Sequence, residues 1–367
     1  MRGSSWTGAV AIGVLALSGG SCGRPSLTRA DAGVSRPLPA PTVKQPAAPT
    51  ALPVARDDGC KPYWTWVDLG CDASAVQARW SSPPRLCDPV HERTTRSILM
   101  AAGLGDGDPR EPLTSEYLRG VLWNDDPAGQ LLSAQGDATE GRAWCQSFVK
   151  EQARARAGQP PGSLLGRSQF GDLQILHGLA PKPGQTALES YKKIIPWVEF
   201  TYRVGSGDIP GATKIGEVSV EGLSAMLPEW RKRTVNELFG VQARGDVKAR
   251  ALGSLLHLLQ DMLGEGHAAL VGQGPGPRHI AHYFTYQHGE NALHRADPGW
   301  REAWTDDAQL AHWPGFDQAV QRGVDVLRLA SRHQPWPVAK KFLDDLCFSY
   351  VSFDAPSVEW SSSPSQP

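Results

Sequence analysis

From about residue 88 onward, apolar residues recur at spacings of three and four, the period of an α-helix rather than of a strand. The stretches "EGLSAMLPEWRKRTVNELFG", "DVKARALGSLLHLLQDML" and "GFDQAVQRGVDVLRLASRH" each predict a helix, with Gly or Pro near the ends. No run alternates apolar and polar residues convincingly enough to predict a strand. The expected class is therefore all-α, a multi-helix bundle. In "ALGSLLHLLQDML", Leu252, Leu255, Leu256, Leu259 and Leu263 form one apolar stripe. His257 and Asp261 lie one turn apart on a separate face, and His267 follows the helix end marked by Gly264 and Gly266. This polar pair either sits on a solvated surface or lines a second, polar interface inside the bundle. Spacing leaves both open.

The N-terminal part has a different character. Residues 1–22, "MRGSSWTGAVAIGVLALSGGSC", combine one arginine, an apolar run too short to span a bilayer and small residues before Cys22, the layout of an export signal. Cys22 stands where a lipoprotein carries its lipidated first residue, although Gly19 occupies the place usually held by leucine. The expectation is an exported protein, extracellular, periplasmic or anchored to a membrane through Cys22. Residues 23–56 are rich in Pro and Ala and predict a spacer that buries no core. A helical domain over 57–355 and a disordered tail over 356–367 complete the expected organisation.

Composition narrows the function classes. Lys and Arg total 37 against 38 for Asp and Glu, which gives no support to a broad basic surface for duplex nucleic acid. The cysteines stand at 22, 60, 71, 87, 145 and 347, none in a CxxC zinc spacing. In an oxidising compartment Cys60, Cys71, Cys87 and Cys145 can form two disulfides of undetermined connectivity.

Histidines are concentrated: five of the ten lie between 257 and 288, and His294 follows. A Gly/Pro loop after His267 leads into an expected helical run bearing His279, His282, His288 and His294, with Asp297 three residues on. His279, His282 and His288 are read as ordinary polar positions. Neutral imidazole and carboxylate are the preferred zinc ligands outside thiolate sites, and helices carrying His and carboxylate pairs can hold metal inside a bundle.

The arrangement in "HLLQDMLGEGH", in which three residues separate His257 from Asp261 and five separate Asp261 from His267, resembles the central motif of the zinc-dependent phospholipase C and single-strand-specific nuclease superfamily. The resemblance implies an all-helical fold enclosing a cluster of two or three zinc ions, with His257, Asp261 and His267 among the ligands. His294 and Asp297 are similar to the pair that follows on the next helix of that family, at a spacing of three instead of the usual four. "VHERTTRSILMAAGL" resembles the family's opening helix, which makes His91 the candidate ligand there. "GVLWNDDP" resembles the stretch that supplies an aspartate two residues after a tryptophan, which picks out Asp125 with Asp126 as a close rival.

Two departures accompany these matches. Where the family places a histidine before a phenylalanine, this chain has Gln169, and His177 either replaces the missing ligand or is a core residue. Members with three zinc ions also use the amine of an N-terminal tryptophan, whereas here the spacer and "KPYWTW" precede His91. The zinc position served by that amine and His91 is therefore expected to be weak or empty.

The activity implied is hydrolysis of a phosphodiester, with Asp261 bridging ions and Asp125 serving as ligand and as the group that orients or deprotonates the attacking water. Phospholipid is favoured as substrate over single-stranded nucleic acid, since there is no surplus of basic residues and an export signal would place the domain beside a membrane. The 13 tryptophans suit a core, and some would suit a choline-like cation. The alternatives are a single-strand nuclease and a non-catalytic helical protein that keeps metal sites.

Overall fold

The computed structural model describes residues 60–79, 85–87, 89–127, 129, 138–241, 245–264, 266–271, 279–285, 315–346 and 348. All of them belong to one unit, residues 49–367. The expected export signal, the spacer and the C-terminal tail lie outside the described residues, as do Cys22, Cys347, His288, His294 and Asp297.

The chain is mostly helical, as its periodicity predicts. In order along it run α1 (Tyr63–Asp68), α2 (Ala73–Arg79), α3 (Pro89–Ala102), α4 (Pro112–Asp125), α5 (Ala138–Arg156) and α6 (Leu164–Phe170). They are followed by α7 (Ala187–Ser206), α8 (Leu223–Met226), α9 (Val235–Leu238), α10 (Val247–Asp261), α11 (Phe316–Ser331) and α12 (Trp336–Leu346). Among the described residues three short 3₁₀ helices lie between them, over Asp172–His177, Ile215–Glu217 and Pro228–Trp230.

The centre of the bundle is α10. Its first turn is capped by Asp246, whose carboxylate accepts from the backbone N–H of Lys248 at 2.8 Å and of Ala249 at 3.2 Å. Every residue from Ala249 to Asp261 is buried, so the leucine stripe and the His257/Asp261 face both point inward. A helix enclosed on all sides is the outcome when several helices pack around it. α4 comes closest: a Cβ added to Gly120 would collide with the Arg250 backbone, and one on Gly253 with the Tyr117 carbonyl. These two glycines let the α4 and α10 backbones meet.

α7 closes a second side. It starts with a capping box, Thr186 accepting from the Glu189 N–H and Glu189 from the Thr186 N–H. Trp197 of α7 stacks on Trp123 of α4 with ring centroids 5.1 Å apart, and donates Nε1–H to Ser254 Oγ of α10 at 3.1 Å. The buried tryptophans Trp66, Trp123, Trp144 and Trp197 serve the core. A satellite cluster of Trp66, Val76, Trp144, Phe148, Leu165 and Phe170 joins α1, α2, α5 and α6, and the Cys71–Cys145 disulfide crosses it.

Three expectations are corrected. "EGLSAMLPEWRKRTVNELFG" is not one helix but α8, a 3₁₀ turn and α9, because Pro228 cannot continue the first and the Thr234 capping box starts the last afresh. The run bearing His279 and His282 is a strand, not a helix: β4 (His279–Tyr283) pairs antiparallel with β3 (Ala268–Val271). A second small sheet, β1 (Cys60–Pro62) parallel to β2 (Arg85–Cys87), was also unforeseen. Among the described residues, no helix is long and apolar enough to cross a membrane.

Candidate metal centre

Five elements deliver side chains to one buried point. His91 sits at the third position of α3, Asp125 ends α4, and His177 ends the 3₁₀ helix just before Gly178, whose φ of 62° turns the chain away. α10 contributes His257 and Asp261 one turn apart. After α10 a tight turn, with Gly264 N–H bonded to the Asp261 carbonyl at 2.8 Å, brings His267 back to the same point. None of these six residues is more than 3% exposed.

Asp261 is the hub. Its Oδ1 lies 2.9 Å from His91 Nε2 and 3.4 Å from His267 Nε2. Its Oδ2 lies 2.9 Å from His257 Nε2 and 3.1 Å from His177 Nδ1. Asp125 flanks the far side, with Oδ1 3.9 Å from His177 Nδ1 and Oδ2 3.7 Å from His257 Nδ1. Donor atoms around a tetrahedral zinc are roughly 3.3 Å apart. Two groups of possible ligands, which share His257, have donor atoms within 4.8 Å of one another: His91, His257 and Asp261, and Asp125, His177 and His257.

The tautomers sharpen the fit. His267 Nδ1 donates to the carbonyl oxygen of His177 at 2.7 Å, since a carbonyl can only accept. A neutral His267 therefore turns the lone pair of Nε2 toward the Asp261 carboxylate. His91 Nδ1 likewise donates to Gln260 Oε1 at 2.7 Å, which directs its Nε2 lone pair at the same oxygen. His257 Nδ1 is buried and makes no hydrogen bond among the described residues. Lone pairs converging on an anionic oxygen repel one another unless a cation or a proton lies between them. Buried imidazole and carboxylate donors in this disposition can hold a metal ion.

Charge state points the same way. Burial, with the neighbouring His91, pushes the pKa of His257 down to about 3, and burial also lowers that of His267. Burial alone would raise Asp261. The surrounding His267, His257 and His91 and the hydrogen bond from His177 outweigh it and hold the carboxyl well below its ordinary range. The centre thus favours neutral imidazoles around an ionised carboxylate, the forms in which both bind metal.

The structure brings together His91, Asp125, His177, His257, Asp261 and His267. Asp126 is buried too, but it is Asp125 that joins the group with His177 and His257. Gln169 is no orphan where a histidine was expected: its Nε2 lies 3.3 Å from His177 Nε2 and donates to the Asp125 carbonyl at 3.3 Å. His294 and Asp297 fall outside the described residues.

No family model, curated protein or solved structure matches the chain. Two residues around it were not anticipated, Gln260 and Thr95. A lone glutamine in a buried leucine-rich helix was the available signal.

Proposed function

We propose that this protein is an exported zinc-dependent phosphodiester hydrolase, similar in kind to the zinc phospholipases C, acting on phospholipid head groups. The observation that supports it most is the convergence of four imidazoles and two carboxylates on one buried point, with Asp261 contacting four of the histidines through its two oxygens. A nitrogen and oxygen donor set without thiolate suits zinc. Bound there, zinc would lower the pKa of a water toward neutrality and offset charge developing on the phosphoryl oxygens.

The chain's own residues would divide the remaining work. His91, His177, His257, His267, Asp125 and Asp261 would hold the metal, with His294 and Asp297 as further ligands from the following segment. Asp261 would offer both of its oxygens to the metal. Asp125, at the edge of the cluster, would orient the attacking water and accept its proton. The deciding experiment is an assay of zinc-loaded protein against phosphatidylcholine vesicles and single-stranded DNA at low salt, side by side. Release of phosphocholine without DNA cleavage supports the reading, and DNA cleavage with intact lipid replaces it by a single-strand nuclease.

A second reading, a non-catalytic metal-binding helical protein, has one observation in its favour. His257 and Asp261 are at most 1% exposed, as in closed structural sites with no position open to substrate. Zinc-loaded protein that turns over neither substrate would support it.

A further inference from the structure

We propose that Gln260 is a positioning residue that selects the tautomer of His91 and thereby makes its Nε2 a metal ligand; this rests on the metal-centre reading above. Gln260 is 1% exposed and lies in the α10 wall between the leucines and Asp261. Its two amide atoms face two side chains of α3. Oε1 accepts from His91 Nδ1 at 2.7 Å, and Nε2 donates to Thr95 Oγ1 at 2.9 Å. His91 and Thr95 are one turn apart on α3, so a single carboxamide spans both.

The consequence is chemical rather than merely cohesive. An imidazole carries one proton in its neutral form, and whichever nitrogen holds it cannot bind metal. With Oε1 toward His91, the proton stays on Nδ1 and the Nε2 lone pair faces Asp261 Oδ1 at 2.9 Å. Were the amide reversed, its N–H would donate to Nδ1, the proton would move to Nε2, and His91 would donate to Asp261 instead of binding metal. In the first orientation Thr95 Oγ1 accepts from Nε2 of Gln260, and the opposite oxygen is presented to His91. His267 reaches the same end by other means, through the His177 carbonyl. Two of the histidines around Asp261 thus have their proton drawn outward, and both aim Nε2 at one oxygen.

The test is titration of the folded apoprotein with cobalt(II), read by its visible spectrum and by chelator competition. His91→Ala first identifies the binding step that depends on His91. Gln260→Leu should weaken that step about 10- to 100-fold, the usual effect of removing the partner of a metal-binding histidine. Gln260→Glu, which keeps an acceptor at Nδ1, should restore it to within about threefold of wild type. Added to His91→Ala, Gln260→Leu should cost less than about twofold more. A Gln260→Leu protein that binds like wild type, or a Gln260→Glu protein as weak as Gln260→Leu, would overturn the proposal. If Gln260→Leu does not fold, Thr95→Val takes its place: weaker cobalt binding at the His91-dependent step supports the assignment, and unchanged binding removes it. Wild-type protein that binds no cobalt would instead strike down the metal centre itself, an outcome visible before any variant is made.

Discussion

His267 donates its Nδ1–H to the backbone carbonyl of His177 at 2.7 Å across 90 residues of sequence. One candidate ligand thus orients another, and both face Asp261. The bond joins the end of a 3₁₀ turn to the loop after α10, beside the contact of Gly178 with Met262.

Acid should weaken the metal-depleted fold. The pKa of His257 is pushed down to about 3 in the folded state, whereas an unfolded histidine titrates near 6.5. Between those values the unfolded chain binds a proton that the folded one refuses, so stability present above about pH 6.5 is lost as pH falls toward 3. His267 acts in the same direction. Asp261 adds stability above its unfolded pKa near 3.8 that is lost only at lower pH still. Urea midpoints of the apoprotein at pH 7, 5.5 and 4.5 should therefore fall steadily, and a flat profile would show that these histidines are not buried neutral.

Gly120→Ala should separate α4 from α10. Alanine favours a helix over glycine by about 1 kcal/mol, but its Cβ would strike the Arg250 backbone, and overpacking of a rigid contact costs about 3 kcal/mol or more. The net expectation is a loss of at least about 2 kcal/mol in chemical denaturation. Because α4 carries Asp125 and α10 carries His257, metal affinity should fall with it. A variant as stable as wild type would mean that the helices do not meet at this glycine.

Cys145→Ser should destabilise the region around α5. The Cys71–Cys145 link closes a sequence separation of 74 residues, for which loop-closure entropy gives about 4 kcal/mol. The variant, or wild type under reductant, should unfold at clearly lower urea concentration, and an unchanged midpoint would argue against the bond.

Asp125→Asn should abolish turnover while leaving the fold and most of the bound metal in place. The amide keeps the shape of the carboxylate but cannot accept a proton, so a loss of about 10²- to 10⁴-fold in rate is expected. Circular dichroism and metal content would check that only chemistry was lost. Retained activity would remove Asp125 from the role of base.

Much of the centre was legible because helices present it. A histidine and an aspartate four apart share a face at any helical site, and the Gly264/Gly266 break that ends α10 is where the chain turns to bring His267 back. What spacing could not show was that the leucine stripe and the polar face of α10 are both buried, since that depends on how many helices surround it. His177 was ambiguous because it ends a 3₁₀ turn, where no long period shows which way a side chain points. The β3–β4 hairpin escaped notice because its strands have four and five residues, and the burial of His279–Tyr283 does not alternate. Gln260 was hidden by chemistry: its part depends on the proton of a histidine 169 residues away.

Elemental analysis of gently purified protein tests the central claim most directly. About two or more zinc ions per chain are expected, removable by chelator and restored by added zinc, because converging imidazole lone pairs around an ionised Asp261 need a cation between them. Zinc below one equivalent, not restored on adding metal, would contradict the account.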